Sequence, residues 1–117
     1  MIVYDSTVNE RYARALFNVA KRQGTLDAAK NDAEQILVLN KRDSKLAVFL
    51  EGPQFPTESK LALVEKLFAG KLDKNLTQLL EILIKKGRIE YARPILTRFI
   101  ELAEADPRTA EKAFGYR

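Results

Sequence analysis

The sequence predicts an all-α fold, a single domain built as a six-helix bundle. Glycine and proline divide the chain at Gly24, Gly52-Pro53, Gly70, Gly87 and Pro107. Between these breaks every segment repeats its apolar residues at helical spacing, and no stretch alternates with period two for long enough to predict a strand. The chain has 117 residues, which suits one core because domains typically hold about 100–200 residues.

The first two helices are separated by Gly24. We predict helix one from about Thr7 to Gln23, with Ser6 or Thr7 as the N-cap and Gly24 as the left-handed residue that ends it. Helix two follows Thr25, whose hydroxyl can cap it, and ends near Asn40. One face of helix two carries an apolar stripe that predicts burial: Leu26, Ala29, Ala33, Ile36 and Leu37.

The third and fourth helices flank a proline-rich loop. A short third helix is predicted from Asp43 or Ser44 to Glu51, because the Gly-Pro-Gln-Phe-Pro run that follows cannot continue it. Thr57 is expected to cap helix four. The apolar positions of these two helices are Leu46, Phe49 and Leu50, then Leu61, Val64, Leu67 and Phe68.

The last two helices are separated by Gly87. Asp73 is expected to cap helix five, which runs to Lys86. Helix six has Pro94 in its first turn, where proline is tolerated because the missing N–H has no helical acceptor. Its apolar stripe consists of Ala92, Ile95, Leu96, Phe99, Leu102 and Ala103.

The composition argues against an enzyme. Cysteine and histidine are both absent, which excludes disulfides, thiolate nucleophiles, imidazole bases and the commonest zinc ligands. The glycines stand singly, so there is no phosphate-binding loop. We therefore expect no catalytic residue, no cofactor and no metal. The acidic residues fall on helix faces or ends where solvated carboxylates are normal, as at Glu51, Glu58, Glu65 and Glu81.

Charge and hydropathy indicate a protein that does not cross a membrane. The longest apolar runs, such as residues 36–39, are far below the roughly 18 residues of a bilayer span. Residues 1–7 hold no secretory signal, so we expect the cytosol or its membrane face. The net charge of +4 leaves an RNA-binding helical domain as an alternative function. Its basic groups, at residues 21–22, 41–42 and 85–88, also fit helix C-termini, where cations complement exposed carbonyls.

Helix one carries more apolar surface than one buried stripe requires. Its apolar residues cover an arc of about 200°, whereas a surface helix typically needs about half that width. Ala15, which lies on this arc, is small enough to let a second helix approach closely. The arc contains Val8, Tyr12, Ala13, Ala15, Leu16, Phe17, Val19 and Ala20.

Helix five shows the same excess. Leu76, Leu79, Leu80, Leu83 and Ile84 form a core stripe, while Ile82 stands apart beside Asn75, Gln78 and Lys86. Two interpretations stay open at this point. The edges of helices one and five form a groove that accepts an amphipathic helix, or both helices are simply buried nearly all round.

Several short motifs carry a resemblance to a known family. The run Tyr12-Ala13-Arg14-Ala15-Leu16-Phe17, with Ala20 and the Gly24-Thr25-Leu26 break, resembles the opening helix of the delta subunit of F-type ATP synthases. The mitochondrial counterpart is the oligomycin-sensitivity-conferring protein. Later landmarks follow in the same order over roughly residues 6–104: Pro53, Lys60, Leu79-Leu80, Lys86-Gly87-Arg88-Ile89, Pro94, Ile95, Leu96, Arg98 and Phe99.

The resemblance implies a function and a site. It implies a six-helix, non-catalytic stator subunit that sits on the catalytic head and binds the amino-terminal helix of an alpha subunit between helices one and five. Carried over by position, the contacts are Tyr12 and Ala15 on helix one and Gln78 and Ile82 on helix five. Neighbouring candidates for the same partner are Val8, Arg11, Val19, Asn75 and Leu79.

The resemblance also implies a domain organisation. Residues 1–105 correspond to the helical bundle, and residues 106–117 are a tail or the start of a linker that departs from the family pattern. In the family a second domain follows and contacts stalk subunit b, which implies that this contact is not made by the present chain. The implied location is peripheral, on the cytoplasmic face of a bacterial inner membrane, with no nucleic acid as partner.

Overall fold

Residues 6–107 are described by a computed structural model and form six α-helices and one 3-10 turn. The helices are α1 (Ser6–Gln23), α2 (Leu26–Arg42), α3 (Ser44–Glu51), α4 (Thr57–Phe68), α5 (Lys74–Lys85) and α6 (Ala92–Ala105). The 3-10 turn, Ile89–Tyr91, leads into α6 and was not predicted. The predicted all-α six-helix bundle is confirmed. Within residues 6–107, no helix has both the length and the apolar content that crossing a bilayer requires.

The core is organised around α6. This helix packs against both α1 and α2, while α5 packs against α4 and also contacts α1 and α2. Four side chains of α6, at the spacing predicted for its apolar stripe, are completely buried: Ile95, Leu96, Phe99 and Ala103. The predicted stripes of α2 and α5 are also confirmed in this core, with Leu37 at its edge.

Two aspartates cap helices in the structure, and of these the Asp73 cap was predicted. The carboxylate of Asp43 accepts a hydrogen bond from the backbone N–H of Leu46 at 3.1 Å. The carboxylate of Asp73 accepts from the N–H groups of Asn75 and Leu76 at 2.9 and 3.3 Å. Both aspartates therefore satisfy amides that have no partner inside their own helices.

The threonine and serine caps were predicted wrongly. Thr25 precedes α2, but its hydroxyl points back and donates to the carbonyl of Ala20 at 3.5 Å. Because Gly24 adopts a left-handed φ of +72°, the chain reverses there and brings this hydroxyl to the exposed carbonyls of α1. Thr57, like Ser6 and Thr7, lies inside its helix rather than before it, so its side chain is not at the cap position.

Two helix ends differ slightly from expectation. The second helix continues to Arg42, two residues beyond the predicted end, and α5 stops at Lys85, one residue early. Gly87 follows with a φ of +69°, and the N–H of Arg88 donates to the carbonyl of Leu83 at 2.7 Å. Left-handed glycine and this backward hydrogen bond are the usual termination of a helix, as the sequence indicated.

A network of charged side chains joins α1 to α6. Arg98 donates through Nε and Nη2 to the two carboxylate oxygens of Glu10, at 2.8 and 3.2 Å, and through Nη1 to Glu101 at 3.1 Å. Arg14 also donates to Glu10. The hydrogen bonds from Arg98, and then from Arg14, lower the pKa of the Glu10 carboxyl below its usual value. The network connects α1 with α6, although such exposed pairs add little to stability.

A second ion pair closes the end of the bundle. Asp106 follows α6 and is only 4% exposed, and its Oδ1 lies 2.9 Å from Nζ of Lys21 on α1. Lys21 also lies over the ring of Phe17, 5.6 Å from its centroid. The domain boundary implied by the resemblance places Asp106 in the tail, of which residues 108–117 lie outside the described part of the chain. Asp106 itself belongs to the packed bundle.

Replacing Lys21 with methionine is expected to lower the free energy of unfolding by about 1–3 kcal/mol, because it removes a charged donor from a buried carboxylate. Methionine has a side chain of similar length, so most of the apolar part of the residue is kept. Urea unfolding followed by circular dichroism measures the change. Arg22→Met, one residue along the same exposed helix end, is the control and should stay within about 0.5 kcal/mol of the unchanged protein. Equal losses in the two variants would contradict a special role for Lys21.

Candidate functional site

One edge of α1 presents partly exposed apolar side chains. Val8, Tyr12, Ala15 and Val19 recur at spacings of four, three and four residues, so they lie along one line of the helix. Ala15 is exposed, and the other three are half-buried. The adjoining line of the same helix is buried in the core and contains Ala13, Leu16 and Ala20.

The corresponding edge of α5 is bordered by its buried stripe. Ile82 is 43% exposed, although its two neighbours Leu83 and Ile84 are buried. Gln78 is exposed and Asn75 is half-buried. These three residues are separated by three and four positions, so they share one side of the helix. An isoleucine that the folded chain leaves in solvent is the apolar member of this edge.

A hydrogen bond joins the two edges at one end. The side-chain amide of Asn75 donates to Oε1 of Gln23 at 2.8 Å, which connects the beginning of α5 with the end of α1. The two helices also pack against each other. Gln23 was not among the predicted site residues. No local pattern could have identified it, because its partner lies 52 residues away in the sequence.

Two of the nine candidate residues differ from the rest. Leu79 is only 7% exposed and belongs to the core, so it lies beneath the surface of α5. Arg11 is exposed and is the only charged residue of the set. The remaining seven, on the two adjoining helices, combine apolar side chains with neutral amides.

The exposure of two valines on other helices was also not predicted from the sequence. Val38 on α2 is 52% exposed and Val48 on α3 is 61% exposed. Neither belongs to the apolar stripes predicted for the second and third helices, and neither was predicted as a binding residue. They provide matched reference positions for Ile82, because each is a large apolar side chain in solvent but outside α1 and α5.

The basic groups lie where helix capping predicts them. Lys21 and Arg22 occupy the last turn of α1, Lys41 and Arg42 the last turn of α2, and Lys85 the last turn of α5. Cations at these positions complement the partial negative charge of the helix C-terminus. Lys21 is in addition paired with Asp106. These positions therefore need no nucleic-acid partner to account for them.

The fold and this surface define a class, the small all-α bundle with a mainly apolar edge shared by two neighbouring helices. Comparison with known protein families gives a more specific result. The model of the family described as "ATP synthase delta (OSCP) subunit" matches residues 8–112. The chain belongs to this family.

Individual relatives agree with the family match. A protein named ATP synthase subunit delta from Acetivibrio thermocellus is 32% identical over 97 residues, which cover 83% of this chain and 54% of the relative. Its namesake from Halalkalibacterium halodurans is 31% identical over 109 residues, covering 93% and 59% of the two proteins. Lachnoclostridium phytofermentans has another, 31% identical over 93 residues, covering 80% and 51%. The chain thus spans about half the length of these curated relatives.

Proposed function

We propose that this chain is a non-catalytic part of the peripheral stalk of an F-type ATP synthase, and that it binds the amino-terminal helix of an alpha subunit along α1 and α5. Family membership supports the first part. The observation that carries the second part is the exposure of Ile82 next to the fully buried Leu83, on the same side of α5 as Asn75, which donates to Gln23 of α1. The bundle leaves this apolar side chain uncovered, and a partner helix would cover it.

The chemistry of the two edges fits an amphipathic helix. Such a helix inserts apolar residues spaced three and four apart into a groove between two others. Tyr12 and Ile82 offer large apolar faces, and Ala15 permits close approach because its side chain is a single methyl group. Gln78 and Asn75 supply amides for a polar rim. Leu79, being buried, supports the groove from below rather than contacting the partner over a wide area.

The mechanical role follows from what a rotary enzyme requires. The head must stay still while the central shaft turns, so a stator needs a rigid body with a firm grip and no chemical step of its own. A bundle with a continuous core provides rigidity, because packed interiors resist deformation. Burial of an apolar helix face provides grip, and the free energy of that burial is opposed by the cost of ordering the partner helix.

The remaining contacts of the complex are assigned to other segments. We place the chain at the periphery of a membrane-bound synthase, on the cytoplasmic side in a bacterium. A second domain, such as the longer relatives have room for, would contact stalk subunit b. Nucleotides, metals and protons would be handled by other subunits.

Tyr12→Ala tests the α1 half of the proposed surface. We expect at least about tenfold weaker binding, because truncated tyrosines at the centre of interfaces commonly cost more than 1 kcal/mol. The measurement is isothermal titration of the 117-residue chain with a synthetic peptide of the alpha-subunit amino-terminal helix encoded in the same genome. Because Tyr12 is only half-buried, the unfolding midpoint should change little.

Two results would count against the proposal. Unchanged affinity in Tyr12→Ala would remove Tyr12 from the interface, and absence of binding by the unaltered chain would remove the partner. A titration with a structured RNA provides the competing outcome. Binding to RNA that weakens steeply with salt, without binding to the peptide, would replace the stator proposal with the RNA alternative.

A further inference from the structure

The third helix is unusual within the bundle because it covers the core without entering it. Five consecutive residues, positions 46–50, are hydrophobic, yet no residue of α3 is fully buried. Leu46 and Leu50 are half-buried, and Val48 is largely exposed. A helix this apolar normally inserts at least one side chain fully. Here the space beneath it is incompletely filled.

A cavity lies beneath α3. Its volume is about 40 Å³. Side chains from α2, α3, α4, α5, the 3-10 turn and α6 surround it, and most of them are aliphatic. The apolar lining comprises Ile36, Leu37, Leu39, Leu46, Leu50, Val64, Phe68, Leu80, Ile89, Ala92 and Leu96.

Three residues of the lining, Asn40, Glu51 and Arg93, are polar. Nη2 of Arg93 lies 3.1 Å from Oε2 of Glu51, and their side chains are 52% and 32% exposed. Because this ion pair reaches solvent, it marks where the cavity meets the surface. Asn40 is the remaining polar residue of the lining. The interior beyond them is aliphatic and aromatic.

Polar contacts hold the end of α3 over the cavity. Lys60 Nζ on α4 donates to the carbonyl of Gly52 at 2.8 Å, directly after α3 ends. A Cβ atom at Gly52 would lie 2.8 Å from the carbonyl oxygen of Val48, so only glycine fits this close turn. Phe49 and Phe55 also pack together across the loop, with ring centroids 4.8 Å apart. These contacts therefore hold α3 in place over the cavity.

We infer that this cavity is a binding site for a small, uncharged, apolar molecule of a few heavy atoms. About 10–15 Å³ is enough for one water, but water needs several polar partners, and the eleven apolar residues that make up most of the lining supply none. An engineered apolar cavity of about 150 Å³ stays dry and binds benzene or xenon. The present cavity, at about 40 Å³, is smaller and matches a ligand such as a xenon atom. Dispersion contacts with the lining supply the affinity.

Xenon is the probe for the test, with the methyl groups of the full chain followed by NMR at increasing gas pressure. We expect saturable shifts of the methyl signals of Leu46, Leu80 and Leu96, which line the cavity. The methyl signals of Leu26 and Leu76, which are buried elsewhere in the core, should hardly move. Equal shifts at both sets of methyls would overturn the inference, because they would indicate non-specific solvation.

A cavity-filling variant and a matched control complete the test. Ala92→Leu places three more carbons against the cavity, and the saturable shifts should be lost. Ala105→Leu makes the same change at an exposed site of the same helix and should leave them intact. If Ala92→Leu fails to fold, Val64→Ile fills the space from α4 and decides the question. Saturable shifts that persist in the folded filling variant would overturn the inference.

Discussion

Replacing Phe99 with alanine is expected to lower the free energy of unfolding by about 3–5 kcal/mol, the usual cost of emptying a buried aromatic site. Phe99 has no exposed surface and is the largest of the fully buried side chains of the core. It lies on α6, the helix that packs against both α1 and α2. The free energy of unfolding of a domain is typically about 5–15 kcal/mol, so this substitution would remove a large part of it. Urea unfolding followed by far-ultraviolet circular dichroism measures the loss.

Phe49→Ala provides the control for this experiment. Phe49 lies on α3, is only half-buried and contacts Phe55. The same atoms are removed, but less apolar surface returns to water and no enclosed void is created, so the cost should be clearly smaller. Comparable losses in the two variants would contradict the assignment of α6 as the centre of the core.

Replacing Ile82 with aspartate is expected to reduce binding of the alpha-subunit helix at least about a hundredfold, because an unpaired carboxylate in an apolar interface costs several kcal/mol. This change tests the α5 half of the proposed surface. Ile82 is 43% exposed in the free chain, so the charge stays hydrated there and the unfolding midpoint should move little. Isothermal titration with the alpha-subunit peptide and thermal unfolding provide the two readouts.

Two substitutions make this result specific. Val38→Asp introduces the same charge at an exposed apolar site of α2, and its affinity for the peptide should equal that of the unchanged chain. Leu83→Asp alters the next residue, which is fully buried, and should unfold the bundle. The proposed interface fails if Val38→Asp weakens binding as much as Ile82→Asp does. It also fails if Ile82→Asp binds normally.

The helices themselves could be predicted from sequence because their signals are local. Gly24 and Gly87 adopt left-handed conformations that other residues disfavour, and they follow helices that end at the predicted residue, for α1, or one residue before it, for α5. Asp43 and Asp73 cap α3 and α5 because the amides they reach are two or three residues away. The Thr25 cap was wrong because its hydroxyl had a second acceptor in α1, which becomes available only after the chain reverses.

The candidate surface was only partly accessible to the same reasoning. Periodicity identified Ile82 as an outlier on α5, and its exposure agrees with that analysis. Periodicity did not separate Leu79, which is buried, from the edge residues beside it. It also could not identify Gln23 as the partner of Asn75, because that contact exists only when α1 and α5 lie side by side. The docking role of these residues remains a proposal.

The sequence by itself determined the helix boundaries to within about two residues, the helical spacing of the apolar positions, and which family the chain resembles. Tertiary structure decided which apolar residues stay uncovered. Ala13 is completely buried and Ala15 is exposed, although both are alanines two positions apart on one helix. Helix formation depends on groups within a few residues of each other, whereas burial depends on what distant segments bring alongside. That is also why Asp106, assigned to a tail by sequence, lies buried against Lys21.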